Sequence, residues 1–323
     1  MSERQRFLML LAIIILLIIV SGHFIFENYL KSTTTAASGR YKIRVGIIPV
    51  IDSFMFIVAE RENLFQKNNL DVELVFFGSA RDRDSALISG QIDVAIHDPV
   101  GAVMLMSKNI SIKIIGFVCC ASDNDSNIGF YLLASPVEEN QNILALNTIS
   151  IAISRNTIIE YIAWEMLRGL NIDPGKVNFI DVPTITNRYE LLIEGRIPMA
   201  VLPDPWGSLA IKNGAKIIAR HRDLVVLVAR KELLSDHIAK ESIYRLINTL
   251  NEAIDLYNRD PNKYQSLINE RLLIPQQLRD SFKLEWRVHI SKTPKEVIDS
   301  VSRWLYERGL IDKIYSYSDY VEI

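Results

Sequence analysis

The chain has 323 residues, with 36 Lys and Arg against 38 Asp and Glu, and only two cysteines. So even a charge balance argues against a phosphate-tracking nucleic-acid protein, and two cysteines exclude a disulfide scaffold or a multi-cysteine zinc module. The length allows about two ordinary domains, with ample apolar material for their cores.

The first element in chain order is apolar. Arg4 and Arg6 precede an unbroken apolar run from Phe7 to Val20, which Ser21, Gly22 and His23 interrupt before Phe24, Ile25 and Phe26 extend it. A helix through about 20 such residues rises ~30 Å, enough to cross a bilayer core. The same run fits a secretory signal, with Val20-Ser21-Gly22 as a small-residue cleavage site. The apolar residues beyond that site favour an uncleaved anchor over residues 1–30, and both readings put the arginines inside and the rest of the chain outside. No cysteine stands near the end of the run to carry a lipid. Residues 31–40 are rich in Ser, Thr and Ala and read as a tether.

From residue 41 short apolar runs alternate with helical patterns. Strands are expected at 42–48, 71–77, 93–96 and 112–117, with helices at 54–66, 81–89 and 99–107 between them. The pattern restarts with a strand at 149–153, a helix at 158–170, and strands near 177–180 and 199–201. From about residue 238 the pattern is almost wholly helical, ending in an amphipathic helix at 297–307. Such alternation argues for α/β units on mainly parallel sheets. Cys119-Cys120 reads as a pair of buried free thiols, since neighbouring cysteines bridge only with severe strain. Asp82-Arg83-Asp84 reads as a solvated charge cluster. The tripeptides beginning at Asn109 and Asn124 are glycosylation sequons, compatible with an external location.

Several segments carry a family likeness. They are Val45-Gly46-Ile47-Ile48-Pro49, Glu62-Asn63-Leu64-Phe65, Asn69 to Leu74, Phe77-Gly78-Ser79, and Leu87-Ile88-Ser89-Gly90-Gln91-Ile92-Asp93-Val94-Ala95. A second echo runs from Leu192 to Leu202 into Pro203-Asp204-Pro205-Trp206. In these the chain resembles the extracytoplasmic solute-binding proteins of ABC importers, specifically the binders of nitrate, sulfonates, taurine and thiamine-pyrimidine precursors. The resemblance implies an α/β, two-lobe periplasmic-binding-protein type II fold, here with an N-terminal transmembrane helix. One lobe would comprise 41–134 and 224–323, the other 135–223, with crossings near 130–134 and 224–228. It further implies a single ligand closed between the lobes, an importer permease as partner, no cofactor and no metal. A monomer is expected.

In open α/β sheets ligands sit beyond the carboxyl ends of strands. That rule selects Asp52, Ser53 and Phe54 after the first strand, Ser79 and Arg81 after the second, and His97 and Asp98 after the third. In the second half it selects Ser154, Arg155, Asn156 and Thr157, then Asp204 and Trp206. Each has a plainer role open to it. Asp52, Ser53, Ser79 and Asp98 are helix-cap types, and Trp206 could pack within its own lobe. Thr157-Ile158-Ile159-Glu160 reads as a capping box, which would occupy the N–H groups an anion needs. Arg155 remains available as an anion's partner.

Asp52, Asp98 and Asp204 against Arg81 and Arg155 give no strong positive field. The balance, with Trp206 as a stacking surface, leans toward a neutral or weakly cationic heteroaromatic solute over a sulfonate, taurine or nitrate. No catalytic residue is expected. A pyrimidine-precursor synthase on the same fold is the enzyme alternative, but its cysteine-rich motif is missing, as are phosphate-loop, nucleophile-elbow and His-Glu-x-x-His signatures. A sensory ectodomain is the remaining alternative.

Overall fold

The computed structural model describes residues 41–118, 129–137, 149–284 and 288–322. The expected membrane segment, the tether, Cys119-Cys120 and the Asn124 sequon lie outside these residues. Among the described residues no helix is long and apolar enough to cross a membrane.

The chain begins with β1 (Lys42–Ile47), α1 (Phe54–Arg61), α2 (Leu64–Lys67), β2 (Asp71–Phe76), α3 (Ala80–Ile88), β3 (Val94–His97), α4 (Pro99–Ser107) and β4 (Ile112–Val118). It continues with β5 (Phe130–Ala134), β6 (Ile149–Ile153), α5 (Ile158–Gly169), β7 (Val177–Asp181), α6 (Ile185–Ile193), β8 (Met199–Pro203), α7 (Trp206–Lys212) and β9 (Lys216–His221). The remainder is β10 (Val225–Arg230), α8 (Lys231–Ser235), α9 (His237–Arg259), α10 (Gln265–Arg271), α11 (Lys295–Glu307) and α12 (Tyr317–Tyr320).

These strands form two five-stranded sheets, ordered β2-β1-β3-β10-β4 and β7-β6-β8-β5-β9. The two share one plan. β1 lies parallel between β2 and β3, as β6 does between β7 and β8. Each sheet's fourth strand runs antiparallel to both its neighbours, and that strand arrives from the other sheet: β10 in the first, β5 in the second. Residues 130–134, expected as one of the two crossings, therefore pair within the second sheet. The ladder from Phe130↔Pro203 to Ala134↔Met199 fixes them there.

Local chemistry explains the elements. In β1, Ile43, Val45 and Ile47 are fully buried while Lys42 pairs with Glu73 at the sheet edge. The expected helix 54–66 breaks in two because Asn63 adopts φ 56°, a left-handed conformation that Asn tolerates. Helix α9 buries Ala239, Ile243, Leu246, Leu250, Ile254 and Tyr257 along one stripe against the first sheet's half, and Asp236 caps it by accepting from Ala239 N at 2.8 Å. β9 is an edge strand with weak alternation in KIIARH, and it carries no clear signal in the sequence.

One ion cluster stitches the first sheet. Asp93 is fully buried and accepts from Arg44 through its backbone N (2.9 Å), Nε (2.8 Å) and Nη2 (2.7 Å), with Arg230 Nη1 at 3.7 Å. Full pairing is what makes a buried carboxylate tolerable. It joins β1, the head of β3 and the end of β10.

Candidate functional site: the cleft between the two sheets

The parallel strands of each sheet end on the same side, and the loops that follow them meet across a cavity of about 430 Å³. From the first half come Ile48 to Ser53 after β1, Gly78 to Ala80 after β2, and Ile96 to Asp98 at the end of β3. From the second come Ile158, Ile185 and the run Pro203 to Trp206. The two crossings supply Gly129-Phe130 and Asp223-Leu224-Val225, and Leu272 to Ile274 close one side.

Of the residues singled out from sequence, Asp52, Ser53, Ser79, His97, Asp98, Asp204 and Trp206 line this cavity. Phe54, Arg81, Ser154, Arg155, Asn156 and Thr157 do not. Phe54 turns into the core, edge-on to Tyr257 with ring centroids 5.6 Å apart. Arg81 is solvent-exposed on α3. Arg155 turns back on its own sheet: its N donates to Asp181 Oδ1 at 3.0 Å and its Nη2 to the Phe179 carbonyl at 2.8 Å. Asn156 takes a left-handed φ of 58° to let the chain enter α5.

The lining side chains are largely committed. Ser53 Oγ donates to the Ile48 and Val50 carbonyls. Ser79 caps α3, accepting from Asp82 N at 3.2 Å and donating to Asp82 Oδ2 at 2.7 Å. Asp98 caps α4, accepting from Gly101 N at 2.8 Å. The capping box on α5 forms: Thr157 Oγ1 accepts from Ile159 N at 3.2 Å, and Glu160 Oε2 accepts from Asn156 N at 2.6 Å. Asp204 Oδ1 accepts from Ser208 N (3.0 Å) and Ser208 Oγ (2.7 Å), and Tyr131 donates to its Oδ2 at 3.1 Å. Burial pushes the Asp204 carboxyl up to about 6 despite those donors.

Two groups were not anticipated. Asp82-Arg83-Asp84 is not a solvated cluster, because α3 turns only Asp82 outward. Arg83 is buried, donating to the Ile96 carbonyl at 2.6 Å and through Nη2 to Asp84 Oδ1 at 2.7 Å. Asp84 Oδ1 also lies 3.1 Å from His97 Nε2, and the His97 Nδ1 is 2.9 Å from the Asp98 carbonyl. Arg83 thus lines the cavity, and helical spacing over i to i+2 could have flagged that one of the three charges faces inward. The second is Asp223, on the crossing from β9 to β10. Burial and a side-chain hydrogen bond with Asp52 raise its carboxyl well above the ordinary range, and Asp98 adds to the effect. No sequence signal marked it, since the pairing joins residues far apart in the chain.

Among the described residues no three His, Cys, Asp or Glu side chains converge as a metal-binding group.

A two-sheet α/β architecture with a solute-sized cleft between its halves is the type II periplasmic-binding-protein fold. The chain belongs to the NMT1-like family, whose sequence profile matches residues 36–268. No curated protein sequence matches it significantly. Among solved structures it is similar to the aliphatic sulphonate binding protein SsuA from Escherichia coli, at 15% identity and a TM-score of 0.74, covering 87% of this chain and 92% of that one. It is also similar to the ligand binding component of an ABC-type import system from Staphylococcus aureus with zinc bound, at 20% identity, TM-score 0.65, and 88% and 97% coverage. The desulfurization enzyme DSZB shares the fold at 10% identity, TM-score 0.63, and 87% and 96% coverage.

Proposed function

We propose that the protein is the extracytoplasmic solute receptor of an ABC importer, closing two lobes on a small molecule and presenting the closed form to a permease. The cavity of about 430 Å³, lined from both sheets and both crossings, carries this reading. Closure follows when a solute touches both walls at once, so affinity is the differential contact energy less the cost of ordering the hinge. The lobes would be 41–118 with 225–322, built on the first sheet, and 130–221, built on the second. Residues 1–30 would hold the domain outside the membrane as a single-pass anchor, in line with an extracytoplasmic family. A monomer suffices, because one chain supplies both walls.

The favoured solute is a heteroaromatic compound of vitamin-precursor type. Trp206 and Phe130 offer flat apolar faces, while the lining acids offer acceptors. A sulfonate, taurine or nitrate is the second reading, supported by the SsuA likeness. The enzyme alternative draws on the DSZB likeness alone. The test is a thermal-shift screen of the full chain against sulfonates, nitrate, pyrimidine precursors, flavins and amino acids. A true solute raises the melting temperature by an amount that grows with the logarithm of its concentration above its dissociation constant. Turnover of the bound compound would refute the receptor reading, as would a screen in which nothing stabilises the fold.

A further inference from the structure

Two contacts between the halves flank the cavity, and they differ in kind. On one side α5 of the second half meets α4 and α11 of the first. One apolar core runs unbroken across that junction, through Val103 and Met106 of α4, Ile159 and Ile162 of α5, and Trp304 of α11. Tyr161 stands edge-on to Trp304 with ring centroids 5.5 Å apart, and its hydroxyl lies 2.9 Å from Ser300 Oγ. Glu160 is fully buried and pairs with Arg308 at 2.7 Å. Parting the halves here would wet that core and strip a buried carboxylate of its cation.

The contact on the other side is thinner. Trp206, Leu209 and Lys212 stand three residues apart on one face of α7, and that face meets residues 272–278 of the first half. Leu209 is 2% exposed, yet it joins the core of the first half, with Leu272, Ile274 and Leu278, and not the small core of its own sheet. Trp206 and Tyr189 are only half-buried against the same residues. The polar tie is Lys212 Nζ, on an exposed side chain, which donates to the Gln277 carbonyl at 2.6 Å. Leu273 N donates to the Pro49 carbonyl at 3.1 Å and pins the segment to the loop after β1. Leu273 and Val50 line the cavity and are still 69% and 41% exposed, so the cavity meets solvent along this edge.

We propose that residues 272–278 and the Trp206–Leu209–Lys212 face of α7 form a clasp over the mouth of the cleft. Solute enters and leaves where the clasp parts, while the α5–α11 junction stays joined as the pivot. The costs of the two movements decide which one occurs. Opening at the clasp exposes one leucine and two aromatic faces already half wet, and it breaks one surface hydrogen bond that water replaces. Opening at the pivot exposes a shared core and a buried ion pair. The clasp touches no part of the solute beyond Trp206 and the strap's inner edge, so its strength sets the rate of opening for every solute alike. This deepens the receptor reading, giving the solute its path, and rests on it.

The test needs no solute. In the full chain carrying Cys119→Ser and Cys120→Ser, Ile158→Cys puts one thiol on the cavity wall. Its labelling by a polymer-linked maleimide too bulky for the cavity reports opening, measured well below each variant's melting temperature. N-ethylmaleimide, small enough to enter, corrects for the reactivity of the thiol itself. Leu209→Ala is expected to speed bulky labelling by at least about tenfold, and Lys212→Met, which loses only the surface hydrogen bond, by about threefold. Tyr161→Phe also loses one hydrogen bond, but at the pivot, and should stay within about twofold of the parent. A Tyr161→Phe rate raised as far as that of Lys212→Met would overturn the proposal, as would clasp variants that label like the parent. Equal labelling of the parent by both reagents would overturn it too, since no clasp would then cover the mouth. Should Leu209→Ala not fold, Lys212→Met, a surface change, decides. The receptor reading is judged separately by the solute screen, so the two can fail independently.

Discussion

Glu160, in the first turn of α5, lies with its Oε1 2.7 Å from Nη2 of Arg308, which follows α11. The two stand on different sides of the cleft, since α5 packs on the second sheet while α11 packs on α4, which covers the first. The Arg308 guanidinium also lies over the rings of Trp164 (5.3 Å) and Trp304 (5.7 Å), and Tyr161 hydroxyl meets Ser300 Oγ at 2.9 Å. A second contact between the two sheets' halves thus exists beside the cleft, and it is anchored on Glu160, the carboxylate of the α5 capping box.

Removing Arg308 should therefore destabilise more than an ordinary surface change. Glu160 is fully buried, and truncating its partner leaves an underpaired carboxylate. Arg308→Ala is expected to cost about 3 kcal/mol in urea unfolding. Arg168→Ala, whose partner Glu165 is on the surface, should cost no more than about 0.5 kcal/mol.

Asp204 predicts a pH dependence with a definite sign. Its carboxyl titrates near 6 when folded, against 3.8 ordinarily, so the folded state holds that proton more tightly than the unfolded one. Stability contributed by this group is then full at acid pH and lost as pH rises through about 6. Asp223 is raised too and acts in the same direction. Melting temperatures of the parent and Asp204→Asn, measured from pH 4 to 8, should diverge in the variant's favour as pH rises. Parallel curves would refute the assignment.

Trp206 and Asp204 should matter to binding more than to folding. Trp206 is only partly buried and leans on Tyr189, ring centroids 5.3 Å apart at 55°. Trp206→Ala is expected to weaken solute binding by about tenfold or more while the chain still melts cooperatively. Asp204→Ala should also weaken it. Unchanged affinity in both variants would show that the solute binds elsewhere.

Gly207 tests the packing behind Asp204. A Cβ there would sit 2.3 Å from Tyr131 Cδ2, and Tyr131 is the residue that donates to Asp204. Gly207→Ala should displace that ring and cost about 1–3 kcal/mol in chemical unfolding. It should also lower solute affinity, although residue 207 does not itself line the cavity.

The fold was legible wherever one face of a segment had to be buried. KIRVGI, DVELVF and ISIAI announce strands through their apolar residues, and Pro99 after Asp98 announces a helix start. The capping box on α5 was equally plain, because its residues are sequence neighbours. The cleft was legible only in outline. The strand-end rule found Asp52, Asp98 and Asp204, but could not tell Arg81, which points to solvent, from Arg83, which is buried two residues later. Asp223 was invisible because its partner Asp52 lies in a distant part of the chain. Such pairings are made by the tertiary fold alone.

The placement of β10 has a consequence for how the molecule is made. All five strands of the second sheet come from one continuous stretch, residues 130–221, so that sheet can complete its hydrogen bonding as soon as the stretch has left the ribosome. The first sheet has a gap between β3 and β4 until β10 arrives, and Asp93 lacks Arg230 until then. The sheet that begins first in the chain is thus finished last, and its late completion depends on long-range pairing, which is intrinsically slow.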